Sequence, residues 1–296
     1  MESTTWNVGE TTITQIVEVE AGDLIQQVIP NATRENISAI EWLRPHFADD
    51  AGKLKGLVQA FVVKTPTDCV LIDTCIGNGK DRPAVAEFSN LQTDFLDRLS
   101  RAGYSAQDID IVMCTHLHFD HVGWNTMYVD GKWIPTFINA RYLFAEDEFN
   151  YWHTHPVAEI DDDHNGFNDS VLPIWQAGLA DLIPVNYSIS QEISLIPTPG
   201  HTPGHVSVLI QSGGECAVIT GDAVHHPCQI AHPNWSTTSD TDQSEACISR
   251  QALFDRCADG KTLFIGSHFA HPVAGYLRKE AAGFRLIVGN HADARL

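Results

Sequence analysis

Residues 114–125 of this 296-residue chain read CTHLHFDHVGWN and place three histidines and one aspartate close together. Imidazole nitrogens and carboxylate oxygens are typical zinc ligands. Side chains two residues apart in an extended segment point the same way, so His116 and His118 can bind one ion. Asp120 and His121 then face a neighbouring position. Four donors on one short loop cannot complete two coordination shells, and the motif therefore predicts further ligands from distant parts of the chain.

Three later segments repeat one design, in which a predicted buried strand and a small residue precede a possible ligand. PTPGHTPGH (197–205) presents His201 after a turn, VITGD (218–222) ends in Asp222, and FIGSH (264–268) ends in His268. A structural zinc site is the main alternative for these residues. Structural sites are usually closed and rich in cysteine, whereas none of these seven candidates is a cysteine, so a catalytic centre is favoured.

A lone histidine is more often a hydrogen-bonded core residue than a metal ligand. His205 is interpreted as structural. His225 is left open between a substrate contact and support for a ligand. Asp73, in LIDTC, is left open between holding a ligand histidine by its second ring nitrogen and forming an ordinary turn. Phe119 and Trp124 flank the ligand motif, and we predict that they line an apolar substrate pocket.

The hydrophobic pattern predicts strands that alternate with helices, and several strands end in the ligand-bearing loops. This pattern is typical of an α/β fold whose site lies at the strand ends. Residues 153–170 are polar and rich in turn formers, which predicts an exposed loop. The predicted strands are 57–65, 68–74, 108–115, 136–140, 193–197, 205–211, 216–220, 262–266 and 284–288. The predicted helices are 82–103, 144–153 and 240–258.

Composition and charge limit the classes of function. The formal charge of −20, from 18 basic and 38 acidic residues, disfavours nucleic acid and anionic membranes as partners. Neither an apolar run long enough to span a membrane nor a signal peptide is evident, so we expect a cytoplasmic protein that acts on a small molecule. Seven cysteines without a CxxC pair favour free thiols. We expect one domain over 1–296, with 1–56 as an extension or lid, and leave a homodimer open.

The motifs HxHxDH, PGHTPGH, a strand-end GD and a late strand-end histidine occur here in the order found in the metallo-β-lactamase fold superfamily, which this chain resembles from about residue 57 to about residue 275. The resemblance implies a four-layer αββα sandwich with two divalent metal ions, for which zinc is expected, at one edge. It assigns His116, His118 and His201 to the first ion. Asp120, His121 and His268 would bind the second ion, and Asp222 would bridge the two.

The resemblance also limits which subfamilies of this superfamily the chain is similar to. SHFAHPVAGY (267–276) is similar to the corresponding end of methyl-parathion hydrolases, whereas quorum-sensing lactonases carry tyrosine where this chain has His225. A dinuclear hydrolase is expected, in which a bridging hydroxide opens a lactone, ester or phosphotriester bond of a small, mostly neutral substrate. Asp120 would orient the nucleophile and pass a proton, and His225 would contact the substrate oxygen or leaving group.

Two alternatives remain at this point. A persulfide dioxygenase with one iron has a similar fold, but it would not need the second set of ligands that this chain offers. A metal-binding protein without turnover is disfavoured by the complete ligand set. Iron content and oxygen consumption distinguish the first alternative from a hydrolase, and a lack of chelator-sensitive activity would support the second.

Overall fold

The structure is a computed structural model that describes residues 3–154, 161–281 and 283–289. The chain divides into two compact units, the first within 1–19 and 58–185 and the second within 20–57 and 186–296. Strands are β1 (Thr5–Val8), β2 (Thr11–Glu20), β3 (Leu57–Lys64), β4 (Cys69–Ile72), β5 (Ile111–Met113), β6 (Thr126–Val129), β7 (Lys132–Pro135), β8 (Arg141–Ala145), β9 (Ala180–Ile183), β10 (Ile193–Pro197), β11 (Val206–Ser212), β12 (Glu215–Ile219), β13 (Thr262–Ile265), β14 (Ala274–Glu280) and β15 (Gly283–Ile287). Helices are α1 (Gly22–Val28), α2 (Arg34–Ala39), α3 (Phe95–Arg101), α4 (Phe119–Val122), α5 (Glu146–Thr154), α6 (Asp162–Gly166), α7 (Leu172–Gln176), α8 (Cys228–Ala231) and α9 (Gln243–Cys257).

The first unit is built on a seven-stranded sheet in the order β1-β2-β3-β4-β5-β8-β9, with a separate hairpin of β6 and β7. Strands β4, β5, β8 and β9 pair in parallel. Their carboxyl ends therefore meet at one edge of the sheet. Asp73 follows β4 and the segment 114–122 follows β5, so this edge collects the polar residues of the first unit.

The second unit is built on a six-stranded sheet in the order β10-β11-β12-β13-β14-β15. Strand β11 is antiparallel to β10 and to β12, and β12 is parallel to β13. Strands β10, β12 and β13 consequently run in the same direction. The residues that follow them include His201, Asp222 and His268, and these three lie at one edge of this sheet.

The central strands of both sheets are apolar and buried, which matches their sequences of β-branched and aromatic residues. In β3 and β4 every residue except Lys64 is buried, and in β12 and β13 the inner residues Val218, Ile219 and Phe264 are fully buried. This burial fixes the strand ends. Donors that follow these strands are therefore held on rigid supports.

The helix expected over 82–103 is confirmed only at α3. Arg82 is fully buried, and its guanidinium lies 2.8 Å from the carboxylate of Asp169. Pro83 follows it and lacks an amide hydrogen. The side chain of Asn78 accepts a hydrogen bond from the amide of Thr93. These side-chain contacts hold 82–94 in turns and one short 3-10 helix (Ala86–Phe88) instead of an α-helix.

Two other local expectations were wrong. Residues 136–140 form a turn between β7 and β8, not a strand. The described part of 153–170 is largely helical, because α6 continues through a π-helix (Phe167–Val171) into α7. Its polar residues bond within the protein: Asp161 caps α6, and the Asp162 carboxylate accepts from the amides of Ala84 and Val85. Residues 155–160, with His155, lie outside the described residues.

Among the described residues, no helix combines the length and apolar character that crossing a membrane would require. The expectation of a single domain over 1–296, with 1–56 as an extension or lid, stays a prediction.

Candidate metal centre

In the first unit, the segment after β5 brings its donors together through a change from extended to helical backbone. His118 is extended, with φ −67° and ψ 154°, and α4 begins at the next residue. The ring of His116 lies 4.5 Å from that of His118 and 4.1 Å from that of His121, measured between centroids. Nε2 of His121 lies 3.8 Å from Oδ1 of Asp120. The four predicted ligands of this unit are therefore grouped.

Asp73 orients this group from the end of β4. Its Oδ2 accepts a hydrogen bond from Nδ1 of His121 at 2.9 Å. The same carboxylate accepts from the amide and hydroxyl of Thr115 at 2.7 and 3.0 Å. The hydroxyl of Thr115 lies 3.1 Å from Nδ1 of His116. Of the two alternatives for Asp73, the geometry therefore favours a role in orienting the predicted ligand His121 over an ordinary turn.

Glu148 and Trp152 of α5 support the same segment, and no sequence pattern had linked Glu148 to the site. The buried carboxylate of Glu148 accepts from the amide of Leu117, the residue between the first two histidines, at 3.1 Å and from Nε1 of Trp152 at 2.8 Å. The Trp152 ring meets the imidazole of His118 edge to face, with centroids 5.5 Å apart. On the far side, Nε2 of His118 lies 3.8 Å from Asp163.

In the second unit, Asp222 faces three histidines. Its Oδ2 lies 3.5 Å from Nε2 of His201 and 3.0 Å from Nε2 of His225, and its Oδ1 lies 3.1 Å from Nε2 of His268. Asp222 lies in the 3-10 turn after β12, and its amide donates to Nε2 of His205 at 2.8 Å. The two carboxylate oxygens thus point toward different histidines. His205 has the structural role that its sequence predicted.

In the two predicted ligand histidines of the second unit, Nδ1 also has a hydrogen-bond partner. Nδ1 of His201 donates to Asp240 at 2.9 Å, and Nδ1 of His268 donates to the carbonyl of Leu57 at 2.8 Å. Burial alone would raise the pKa of Asp240, but the hydrogen bond and charge of His201 hold that pKa well below its usual range. Asp240 is therefore a carboxylate that fixes the orientation of His201.

These contacts fit a metal centre. Nδ1 has a polar partner in four histidines, so Nε2 is the nitrogen that can bind a metal ion in His116, His121, His201 and His268. In His118 the arrangement differs, because Nε2 is the nitrogen that faces Asp163. Metal-binding histidines commonly use one nitrogen for the ion and the other for such a partner. Neutral imidazoles and carboxylates without cysteine suit divalent cations such as zinc.

His225 and the two predicted pocket residues have different surroundings. The ring of His225 lies 4.8 Å from that of His201, and its Nδ1 has no hydrogen-bond partner among the described residues. Trp124 stacks on Phe95 with centroids 5.5 Å apart, and its Nε1 donates to Glu18 at 2.6 Å. Trp124 thus has a packing role in the first unit, and its substrate contact stays a prediction. Phe119 begins α4 and is 8% exposed.

Asp163 and Asp240 were also missed by the sequence analysis. Asp240 lies 39 residues from His201 along the chain and has no motif around it. Asp163 falls in the segment interpreted as an exposed loop. Only the chain topology brings these carboxylates to their histidines, so no local pattern could identify them.

The comparisons with known proteins agree with this geometry. A model of the metallo-beta-lactamase superfamily matches residues 55–265. An N-acyl homoserine lactonase from Bacillus sp is 30% identical over 114 residues, which are 38% of this chain and 38% of that protein. A probable metallo-hydrolase from Mycobacterium tuberculosis is 27% identical over 187 residues, 57% of each chain. The chain spans between about four and six tenths of the length of these curated relatives.

Two solved structures show the same fold over nearly the whole chain. AidC, a dizinc quorum-quenching lactonase solved with a product, has a TM-score of 0.77 at 23% identity and 98% coverage of both chains. The hydrolase AbOPH of the beta lactamase superfamily has a TM-score of 0.80 at 23% identity, also with 98% coverage of both. The predicted α/β fold class is confirmed, and this chain belongs to the metallo-β-lactamase superfamily.

Proposed function

We propose that this protein is a metal-dependent hydrolase with two divalent ions, for which zinc is the expected metal. In this proposal His116, His118, His201 and Asp222 serve the first ion, and Asp120, His121 and His268 serve the second, with Asp222 shared. The observation that carries the proposal is the placement of Asp222, whose two oxygens face two different histidines. A carboxylate in that position suits a bridge between two ions.

Two bound ions would lower the pKa of a shared water and polarise the substrate oxygen that gains charge. The residues of this chain supply the rest. Asp120 orients the attacking water, accepts its proton and passes that proton to the leaving group. His225, whose imidazole is buried beside Asp222, donates a hydrogen bond to the substrate oxygen or leaving group. Phe119 lines the acyl or aryl side of the substrate.

We propose a lactone, ester or phosphotriester as the bond that is opened. The lactone class is supported first, because two relatives named N-acyl homoserine lactonase match 38% and 48% of this chain at 30% and 26% identity. The formal charge of −20 favours a neutral or weakly charged substrate over a polyanion.

The experiment that tests this proposal is proton release from a panel of lactones, aryl esters and phosphotriesters, with and without a chelator. The expected result is release on one class that stops with chelator and returns when zinc is added. Asp222→Ala, which removes the shared carboxylate, should be inactive on the same panel. His232→Ala changes a half-buried histidine of the second unit that lies outside the proposed ligand set, and it should retain activity.

If protein shown to hold two ions released no protons from any compound of the panel, the proposed substrate classes would be wrong. If the purified protein instead held one iron per chain and consumed oxygen with a persulfide, the dioxygenase alternative would replace the hydrolase.

A further inference from the structure

We propose that Arg250 of α9 is a positioning residue for the metal ligands of the second unit. It fixes the segment that carries Asp222 and faces the carboxylate that orients His201. This inference rests on the proposed metal-dependent function, because the ligands are its targets.

The side chain of Arg250 is fully buried and donates to three main-chain carbonyls. Its Nε lies 2.7 Å from the carbonyl of Ala223, the residue after Asp222. Its Nη1 lies 2.9 Å from the carbonyl of Pro233 and 2.8 Å from that of Trp235. The planar fork of donors therefore ties the turn that presents Asp222, and the segment around Pro233 and Trp235, to helix α9.

The remaining edge of the guanidinium faces Asp240. Nη2 of Arg250 lies 3.9 Å from Oδ2 of Asp240, an ion-pair distance rather than a hydrogen bond. Oδ2 of Asp240 also accepts from the amide of Thr237 at 2.8 Å, and Oδ1 accepts from Nδ1 of His201 at 2.9 Å. The charge of Arg250 consequently acts on His201 through Asp240.

The first turns of α9 also shape the loop that presents His201. The amide of Asp242 donates to the carbonyl of Gly200 at 2.8 Å, and the hydroxyl of Ser249 donates to the carbonyl of Pro199 at 2.7 Å. Gly200 has φ +118°, and a Cβ there would lie 2.1 Å from the amide nitrogen of Ala246. Helix α9 is thus in close contact with this loop immediately before Arg250.

A buried guanidinium is costly to desolvate, and an apolar side chain would pack α9 without that cost. In Arg250 the cost is offset by hydrogen bonds and a facing carboxylate, and these partners lie next to Asp222 and His201. This pattern indicates a role in ligand placement beyond packing.

The test is the zinc affinity of Arg250→Met, measured by equilibrium competition with a chromogenic chelator. We expect at least one of the two ions to bind more weakly, by no more than the about 10- to 100-fold that follows the loss of a direct outer partner of a ligand. Arg256→Met, which changes an exposed arginine of the same helix, is the matched control and should bind zinc as the wild type does. Arg250→Lys keeps the charge but loses the fork, and we expect an intermediate affinity.

If Arg250 acts on His201 through Asp240, the effects of substituting the two residues should not be independent. In the double variant Arg250→Met/Asp240→Asn the loss of affinity should be smaller than the product of the two single losses, because part of the Arg250 effect needs the Asp240 carboxylate. The visible spectrum of the cobalt-substituted protein should change in both single variants and stay unchanged in Arg256→Met. If the loss of zinc affinity in the double variant equalled the product of the two single losses, Arg250 would not act through Asp240.

Wild-type zinc affinity in Arg250→Met would overturn the inference while leaving the proposed function intact. If that variant does not fold, wild-type affinity in Arg250→Lys would overturn it equally. A wild-type protein that binds no divalent ion would instead refute the proposed function, so the two failures are distinguishable.

Discussion

At the scale of single residues, the ligand histidines are oriented by the nitrogen that does not face the proposed ions. Asp73 and Asp240 are both buried carboxylates that accept from Nδ1 of a histidine, one in each unit. The proposed ligands could be named from the sequence because they lie in short contiguous motifs. The sequence left Asp73 undecided and missed Asp240, because a hydrogen-bond partner needs only to be near in space.

Asp222→Ala should lose metal and activity together. The substitution removes both oxygens that face His201 and His268 and leaves two incomplete shells. Elemental analysis after dialysis should show less than two zinc ions per chain. Full metal content in this variant would contradict the shared-carboxylate assignment.

His225→Ala should have a milder effect, since we place His225 beside the substrate and outside the ligand set. Loss of one preorganised donor usually lowers kcat by about 100-fold. We expect that loss with the zinc content unchanged, measured on the same preparation. Loss of an ion from this variant would make His225 a ligand.

At the scale of helices and strands, buried apolar runs predicted the strands beside the ligands well, and α9 is close to its expected range. The prediction failed where polar side chains bond inside the protein. Arg82 pairs with Asp169 and Asp162 accepts from main-chain amides, so these polar segments are ordered and partly buried. Hydropathy alone describes such residues as solvent-facing, because it contains no information about their partners.

The beginning of α9 offers a test at this scale. Asp242 caps the helix by accepting a hydrogen bond from the amide of Glu245 at 2.9 Å. Asp242→Ala should lower the free energy of unfolding by about 1 kcal/mol, measured with urea. Ser244→Ala, at an exposed position in the same first turn, should change it far less. Equal effects of both variants would show that the cap contributes nothing specific.

At the scale of the whole molecule, both sheets have the same design, in which parallel strands end together and carry the donors. The order of motifs along the chain predicted the family, and this part of the prediction is confirmed by the match over residues 55–265. Substrate identity did not follow, because the shape of a pocket depends on the folded loops around the donors, and no local sequence pattern specifies that shape.

Acid should destabilise the metal-free protein partly through His226. Burial lowers the pKa of His226 from 6.5 to about 4, although its hydrogen bonds to main-chain atoms act in the opposite direction. The unfolded chain binds this proton near pH 6.5 and the folded chain does so only near pH 4. Stability should therefore fall as the pH drops between these values, by about 3 kcal/mol in total.

Urea unfolding at several pH values would measure this contribution. His226→Gln removes the titrating group and should flatten the decline between pH 6.5 and 4. His46→Gln, at an exposed position in the same unit, should keep the wild-type slope. Identical slopes for wild type and His226→Gln would contradict the assignment.

We propose that the seven His and Asp donors hold two ions. The most direct measurement is anomalous diffraction at the zinc edge from crystals of the zinc-loaded protein. We predict two peaks about 3.5–4 Å apart. One should lie within bonding distance of His116, His118 and His201, the other of Asp120, His121 and His268, and both of Asp222. A single peak, or two peaks away from these residues, would refute the proposed two-ion centre.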